Sequence, residues 1–391
     1  MIKKFSIFLT TLILAIVVAF PVFAESNFKK SEVVLFPKGE TIDKDYFAWG
    51  EKQAELIRNR YPESSARIKV VGSHRLDIIR PEFQGIHMHE KNRLRQKYGR
   101  YILFSSNFSE ILNVGGGREY QLWQREKQGA LTTDENRKFY QGFLNHLETA
   151  IAEYIKILPR IRKEFPQHTL IVRPHPGDDP DYWIKVTQGM DKTVVIHEGN
   201  IIPWLLGTDA MFHHSCTTGL EAYLLGVPGI AYHPCYNPDY DSHLSTKVGP
   251  IARDENSCID LLHRAINHMP LPREDISWLD NYLMRKNNEL ASDRMLNAIE
   301  KLDWPEERLY SLQNAFSYLL HNSMRSFFLT ARKIKHGLKG EKPPITMGTR
   351  KWNYTTAEDV QSMIQVLQET TGRFQGVTAR KLTGQIFCLY S

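Results

Sequence analysis

The sequence predicts an α/β protein whose main domain is a doubly wound parallel sheet, and three observations support this fold class. Short apolar runs alternate with helical patterns between residues 101 and 270. Each run ends in polar or titratable residues, as expected where the carboxyl ends of parallel strands meet at one edge. The chain has 391 residues, 42% of them hydrophobic, which is enough for two domains or one domain with additions.

The first 25 residues form a leader-like segment. Lys3 and Lys4 precede an apolar run from Phe5 to Phe20, and Ala24 ends a cleavage-site pattern. This pattern predicts a secretory signal peptide or a single membrane anchor. Either would give membrane association through residues 5–24 and place the body of the protein outside the cytoplasm.

The rest of the chain favours a cytoplasmic location, at the inner face of the membrane. Its four cysteines show no CxxC spacing, which predicts reduced thiols. Two explanations of the leader stay open. The protein is exported and uses no nucleotide donor, or the leader has been joined to a truncated enzyme.

Composition and periodicity divide the chain into a series of segments. A helical pattern covers 43–62 and a strand pattern covers 66–71, which together predict part of a Rossmann-like domain. A charged stretch with Pro81 and two glycines predicts a linker. The predicted divisions are a leader (1–25), a partial Rossmann-like domain (31–81), a linker (82–100), a complete Rossmann-like domain (101–270), a helical region (271–340) and a tail with one weak strand (341–391).

The segment FHHSCTTGLEAYLLGVP, residues 212–228, predicts a phosphate site. A strand ends at Ser215, and Thr217 and Thr218 open a helix whose free amides and dipole favour an anion. Gly219 would allow a ligand to approach the backbone closely. Glu221 could accept hydrogen bonds from ribose hydroxyls. The alternatives are an ordinary N-cap at Thr217 and a glutamate that merely complements the helix dipole.

A second candidate element is VRPHP at residues 172–176. Arg173 can hold a phosphate through two parallel hydrogen bonds. His175 lies between two prolines that fix the backbone. Such a rigid histidine could donate a hydrogen bond to a phosphate or act as a general acid, or it could only cap the loop. Glu198 and Asn200 precede a short helix and could recognise a base, although an N-cap is the simpler interpretation of Asn200.

Several other classes of site are not expected. His213 and His214 are adjacent on a strand and face opposite sides, and no compact metal-ligand motif occurs, so no metal is predicted. No GxSxG elbow predicts a serine nucleophile. The net charge of +6 is too weak and too dispersed to predict nucleic-acid binding.

Five segments together resemble the bacterial surface carbohydrate biosynthesis protein family. That family is related to the capsule Kdo transferases and the CDP-glycerol glycerophosphotransferases of the GT-B fold. The segments span roughly residues 30–270 in order, and they are FAWGEKQAELIRNRYP with VVGSHRLDIIRPE, YILFSSNFS, RPHPGDDPDYW, VVIHEGNIIPWLLGTDA and HHSCTTGLEAYLLGVPGIAY. The resemblance implies a GT-B-like fold in which only part of the N-terminal Rossmann-like domain is present.

The resemblance also implies roles for individual residues. Arg173 and His175 would line the donor pocket, and Asn107 and Ser109 would lie at the mouth of the cleft. The donor phosphate would be held by His214, Ser215, Thr217 and Thr218, with Glu221 nearby. We expect His175 and His214 to be the catalytic residues. Such an enzyme needs no metal or other cofactor, because protein groups stabilise the nucleotide leaving group.

The function predicted in this way is transfer of a sugar or phospho-alditol from a nucleotide-linked donor. The acceptor would be a polysaccharide or a lipid-linked glycan of the cell surface. Two alternatives stay open. One is a GT-B sugar-nucleotide epimerase, and the other is a non-catalytic, truncated or exported protein that binds a glycan.

Overall fold

The computed structural model describes most of the chain from residue 46 onward. The described residues are 46–62, 67–113, 116–241, 243–272, 275–284, 289–302, 356–383 and 386–390. The predicted leader and the first part of the predicted tail lie outside them. The chain divides into two compact units, Met1–Met295 with Tyr354–Ser391 and Leu296–Asn353. Within the first unit, a small βαβ unit precedes the main sheet.

That βαβ unit consists of β1 (Tyr46–Ala48), α1 (Glu51–Arg60) and β2 (Ile68–Val70), with the two strands parallel. The prediction of a helix from residue 43 is wrong in its first part, because Tyr46–Ala48 is a strand. Aromatic residues favour a pleated surface where a neighbouring strand is available, and β2 provides one.

The segment predicted as a linker, 82–100, is largely helical. Two 3-10 helices, His74–Ile79 and Pro81–His87, lead into α2 (Met88–Tyr98). Leu94 of α2 is fully buried against the main sheet, and the charged side chains of the helix lie on its more exposed faces. A single buried leucine anchors this helix, so its apolar periodicity is too weak to recognise in the sequence.

The main sheet has six parallel strands. They are β3 (Tyr101–Ser105), β4 (Thr169–Arg173), β5 (Thr193–Val195), β6 (Ala210–His213), β7 (Gly229–Tyr232) and β8 (Ile251–Ala252). Their order is β5-β4-β3-β6-β7-β8, with every neighbouring pair parallel. This is the order of two βαβαβ halves that diverge from a switch point between β3 and β6. The predicted doubly wound parallel sheet is therefore confirmed.

Helices cover both faces of the sheet. They are α3 (Gly117–Lys127), α4 (Asp134–Glu164), α5 (Pro180–Val186), α6 (Ile201–Gly207), α7 (Thr217–Leu224), α8 (His243–Thr246) and α9 (Glu255–Ile266). Alternate residues of β3 face opposite layers: Ile102 and Phe104 pack with α4, α5 and α9, whereas Tyr101 and Leu103 pack with α2, α6 and α7. Helices therefore bury both faces of the sheet, and its polar side chains lie at the strand ends.

The described residues of the C-terminal part form helices and a terminal hairpin, and most of the predicted helical region, residues 303–340, lies outside the described residues. Its elements are α10 (Leu279–Tyr282), α11 (Ala291–Glu300), α12 (Ala357–Thr371), β9 (Thr378–Thr383) and β10 (Ile386–Tyr390), with β9 and β10 antiparallel. The strand predicted within residues 384–390 is confirmed. Among the described helices, none combines the length and apolar character that a membrane crossing requires.

Candidate functional site

The candidate site lies at the switch point of the sheet, beyond the carboxyl ends of β3 and β6. Ligands of open α/β sheets bind in this crevice, because the chain leaves the two strands in opposite directions. Asn107 follows β3 and donates from its side-chain amide to the carbonyl oxygen of Ser215, which follows β6, at 3.2 Å. Ser105 and Thr218 connect the same two segments through their hydroxyls, which are 3.3 Å apart. Residues predicted from separate motifs therefore meet here.

Ser215 adopts an unusual backbone conformation at the turn from β6 into α7. Its φ angle is +44°, in the left-handed region that residues with a side chain seldom occupy. Side chains in this region cost on the order of 1 kcal/mol or more, and such residues are concentrated at functional sites. The half-buried Ser215 thus lies on a tight strand-to-helix turn, directly before the first turn of α7.

The start of α7 has a backbone donor that the described residues do not use. Its N-cap residue is Cys216, and the amide of Thr218 is directed at the Cys216 sulfur. Within the described residues, the amide of Thr217 donates no hydrogen bond. Thr217 is half-buried, and Thr218 is 7% exposed. An unused amide at the positive end of a helix dipole suits a phosphate.

The structure gives Gly219 a packing role in addition to the predicted one. A side chain at this position would collide with the buried ring of His213. The Nδ1 atom of His213 in turn accepts a hydrogen bond from the amide of Cys216 at 3.3 Å. The prediction that His213 and His214 face opposite sides is confirmed, because His213 packs under α7 while His214 lies against Phe108, with ring centroids 5.0 Å apart.

Arg173 holds the loop that follows β5. Its guanidinium donates to the carbonyl oxygens of Glu198 and Gly199, both at 2.7 Å, and stacks over the ring of Trp204. Burial lowers the pKa of Arg173 to about 10, so it remains charged at neutral pH. Asn200 caps α6 by accepting from the amide of Ile202 at 3.0 Å, as its simpler interpretation predicted.

His175 lies in the loop after β4, and its tautomer follows from its contacts. Its Nδ1 accepts a hydrogen bond from the amide of Gly177 at 3.1 Å, so the neutral ring carries its proton on Nε2. A side chain on Gly177 would collide with Ser109, which places the predicted cleft-mouth residue beside this loop. The amide of His175 donates to buried Asp178 at 3.2 Å.

Glu221 is 3% exposed in the second turn of α7. Arg75, from the segment between the βαβ unit and the main sheet, pairs with its carboxylate at 2.7 Å. Burial raises the pKa of Glu221, and the positive charges of Arg75 and Arg173 oppose this effect. The Oε2 atom of Glu221 is buried without a hydrogen-bond partner among the described residues, so the carboxylate has one unused hydrogen-bond acceptor.

His214, predicted to be catalytic, is 3% exposed, and its ring stacks on that of Phe108. Its Nε2 lies 3.3 Å from Asp241, a residue that no sequence motif singled out. Burial lowers the pKa of His214 to about 4, so the ring is neutral at physiological pH.

No protein-family model matches the chain, and no curated protein matches its sequence. Among solved structures, the wall teichoic acid polymerase TagF is 14% identical with a TM-score of 0.40, and the match covers 66% of this chain and 57% of TagF. The UDP-GlcNAc 2-epimerase of Methanocaldococcus jannaschii, solved with UDP-GlcNAc and UDP, is 16% identical with a TM-score of 0.40 over 66% of this chain and 61% of that one.

A third similar structure is WaaG, a glycosyltransferase involved in lipopolysaccharide biosynthesis. It is 13% identical with a TM-score of 0.37, covering 68% of this chain and 64% of WaaG. The chain thus spans less than two thirds of the length of each of these proteins. These similarities are distant.

Proposed function

We propose that the protein is a GT-B-type transferase that takes a sugar or phospho-alditol from a nucleotide-linked donor. The observation that carries this proposal is the unused amide of Thr217 in the first turn of α7, at the switch point of the sheet and two residues after Ser215. A phosphate of the donor satisfies this amide and the helix dipole at once. The acceptor in this proposal is a polysaccharide or a lipid-linked glycan of the cell surface.

Each site residue has a role in the proposed reaction. An acceptor hydroxyl attacks the donor carbon or phosphorus and loses its proton to solvent water, while the bond to the nucleotide phosphate breaks with its electron pair on the departing oxygen. The Thr217 amide and the hydroxyls of Ser215 and Thr217 stabilise that negative charge. His175 donates a hydrogen bond from Nε2 to the departing phosphate oxygen. The buried charge of Arg173 adds a positive electrostatic potential.

The nucleotide part has a second set of partners in this proposal. The buried carboxylate of Glu221, with its unpartnered Oε2, accepts from the ribose hydroxyls. The segment from Glu198 to Asn200, held in place by Arg173, contacts the base. Because these groups and the helix dipole stabilise the leaving group, the proposed transfer needs no metal on the diphosphate.

Nucleotide binding tests the proposal directly. The full chain is titrated with CMP, CDP and UDP while its melting temperature is followed. A ligand at one hundred times its Kd should stabilise the protein by about 2.7 kcal/mol, which shifts the melting temperature by several degrees. Absence of a shift with all three nucleotides at millimolar concentration contradicts the proposal.

A matched pair of threonines locates the site. Thr217→Ala should weaken nucleotide binding about tenfold with little loss of stability, because Cys216, and not Thr217, is the N-cap residue of α7. Thr133→Ala removes the N-cap of α4, where the side chain accepts from Asn136 at 3.2 Å. The control should therefore lose about 1 kcal/mol of stability and bind nucleotide normally. Equal nucleotide shifts in both variants would place the site elsewhere.

A further inference from the structure

Four buried side chains converge outside the crevice, behind the ends of β6 and β7. The Oδ1 atom of Asp241 lies 3.0 Å from His146 Nε2, 3.3 Å from His214 Nε2 and 3.5 Å from His233 Nδ1. The Asp241 and His233 side chains are fully buried, and those of His146 and His214 are 8% and 3% exposed. These residues come from α4, from the ends of two strands and from the loop after β7, so the fold brings them together over a long stretch of chain.

The charge of this cluster is not balanced by an ordinary ion pair. No lysine or arginine in the described part of the chain forms an ion pair with Asp241, although its carboxylate is fully buried. A buried carboxylate without a cation is costly. Three imidazoles also crowd one carboxylate oxygen, which has only two lone pairs, and the buried Nδ1 of His233 forms no hydrogen bond.

We propose that His146, His214 and Asp241 bind a divalent metal ion of the zinc class in a tetrahedral site, with His233 beside the Asp241 oxygen. A tetrahedron with metal–ligand bonds of about 2.0–2.1 Å has ligand–ligand edges of about 3.3–3.4 Å, close to the distances from Asp241 to His146 and His214. The ligand atoms of His146, His214 and Asp241 all lie within 4.8 Å of one another. Two imidazole nitrogens and one carboxylate oxygen are a donor set that suits zinc.

The surroundings of the proposed ligands support this arrangement. The second oxygen of Asp241 accepts from the amide of Asn237 at 2.8 Å, which orients the carboxylate. The far nitrogen of His233, Nε2, lies 3.3 Å from the Thr246 hydroxyl and 3.5 Å from the Ser215 hydroxyl. Hydrogen bonds of this kind orient the residues that surround a metal-binding site.

The metal would thus be a structural ion behind the crevice. It would fix His214 next to Ser215, and through His233 it would reach the Ser215 hydroxyl itself. Apart from His214, its ligands differ from the residues of the proposed donor site. Metal binding and nucleotide binding can therefore fail separately in experiments.

Metal analysis of the intact chain tests the proposal. The protein is purified without a histidine tag, stripped with a chelator and titrated with Zn²⁺, and separately with Co²⁺. We expect one ion per chain, and for Co²⁺ the intense visible absorption of a tetrahedral site with nitrogen and oxygen ligands. Failure to bind either ion stoichiometrically at micromolar concentration overturns the proposal and leaves a hydrogen-bonded histidine–aspartate cluster.

Two ligand variants and one matched control locate the ion. Asp241→Asn and His146→Gln should each weaken Co²⁺ binding at least tenfold. His168→Gln removes a histidine that also lies 3.0 Å from an aspartate, Asp209. This pair lies at the opposite edge of the sheet, before the amino ends of β4 and β6. This control should keep the wild-type Co²⁺ spectrum. Wild-type binding in both ligand variants overturns the proposal, and circular dichroism identifies any variant that fails to fold, in which case the wild-type stoichiometry decides.

Discussion

At the scale of single residues, Asp178 shows how a strand end becomes part of a site. Its Oδ2 atom accepts hydrogen bonds from the hydroxyl of Ser106 and the amide of His175, and the indole of Trp183 donates to it at 3.4 Å. Asp178 therefore joins the segment after β3 to the loop that carries His175. In the sequence it reads only as the start of a helix, but Asp179 caps that helix instead.

The stability of the protein should depend on pH through Asp178. Burial raises the pKa of its carboxyl from 3.8 to about 6. An acid with a higher pKa in the folded state binds its proton more tightly when folded, so its contribution to stability is complete below about pH 4. That contribution is lost as the pH rises to about 6. A shift of about two pKa units corresponds to about 3 kcal/mol at most.

Replacing the carboxylate with a neutral amide should remove this penalty. We expect Asp178→Asn to be about 1–3 kcal/mol more stable than the wild type at pH 8, with the difference disappearing near pH 4. Urea unfolding midpoints at the two pH values measure the effect. Asp179→Asn is the control, since asparagine also caps helices. A less stable Asp178→Asn variant at pH 8 would mean that the ionised carboxylate stabilises this loop.

At the scale of elements, the sequence predicts the main sheet well because each strand is a buried apolar run with polar ends. The run before Ser106 shows this, since β3 occupies residues 101–105 of the predicted 101–106. The two-residue strand β8 is too short to have a pattern. Contacts across the chain are also invisible: nothing in the spacing of Asp241 or Arg75 indicates that they meet His214 and Glu221.

The Arg75–Glu221 pair illustrates how one element depends on another. Arg75 is about half exposed, whereas Glu221 on α7 is buried, so removing the arginine leaves a buried charge. Burial already raises the pKa of Glu221, and Arg75→Ala should raise it further. The variant should therefore lose stability as the pH rises, by about 1–3 kcal/mol at pH 8 and less at pH 5.

A second substitution separates this effect from simple loss of packing. In Arg75→Ala/Glu221→Gln the buried charge is gone, so the double variant should be more stable than Arg75→Ala alone at pH 8. Urea unfolding provides the comparison. Arg93→Ala, which breaks an exposed pair with Glu90, should change stability by less than about 0.5 kcal/mol. If the losses in unfolding free energy of Arg75→Ala and Glu221→Gln simply add in the double variant, the pair contributes nothing to stability.

At the scale of the whole molecule, residues distant in the sequence hold the segment that connects the βαβ unit to the main sheet. Asp77 accepts from the first amides of α11, those of Ala291 and Ser292, at 3.0 and 2.8 Å. Arg294 donates to the carbonyl oxygen of Val71 at 2.8 Å. The segment between the βαβ unit and the main sheet is therefore held by residues more than 200 positions later. Such closure cannot be deduced from local patterns.

The C-terminal helix α12 contributes to the same closure. Gly85, in the 3-10 helix Pro81–His87, packs so closely against Thr370 that a side chain there would meet its methyl group. Arg373 adds an ion pair with Asp293 at 3.1 Å, in which both side chains are exposed. The close packing of α12, more than this ion pair, should stabilise the 3-10 helix, because exposed ion pairs contribute little.

Deleting residues 356–391 should therefore lower the melting temperature by several degrees while the main sheet stays folded. Amide hydrogen exchange should accelerate in residues 81–87 and remain slow in β3, β4 and β6, since these strands lie in the centre of the sheet. Arg373→Ala is the control and should leave both measurements close to wild type. Unchanged exchange over 81–87 in the shortened chain would show that α12 only covers this helix, and a loss of protection in β3 would show instead that the tail is part of the cooperative core.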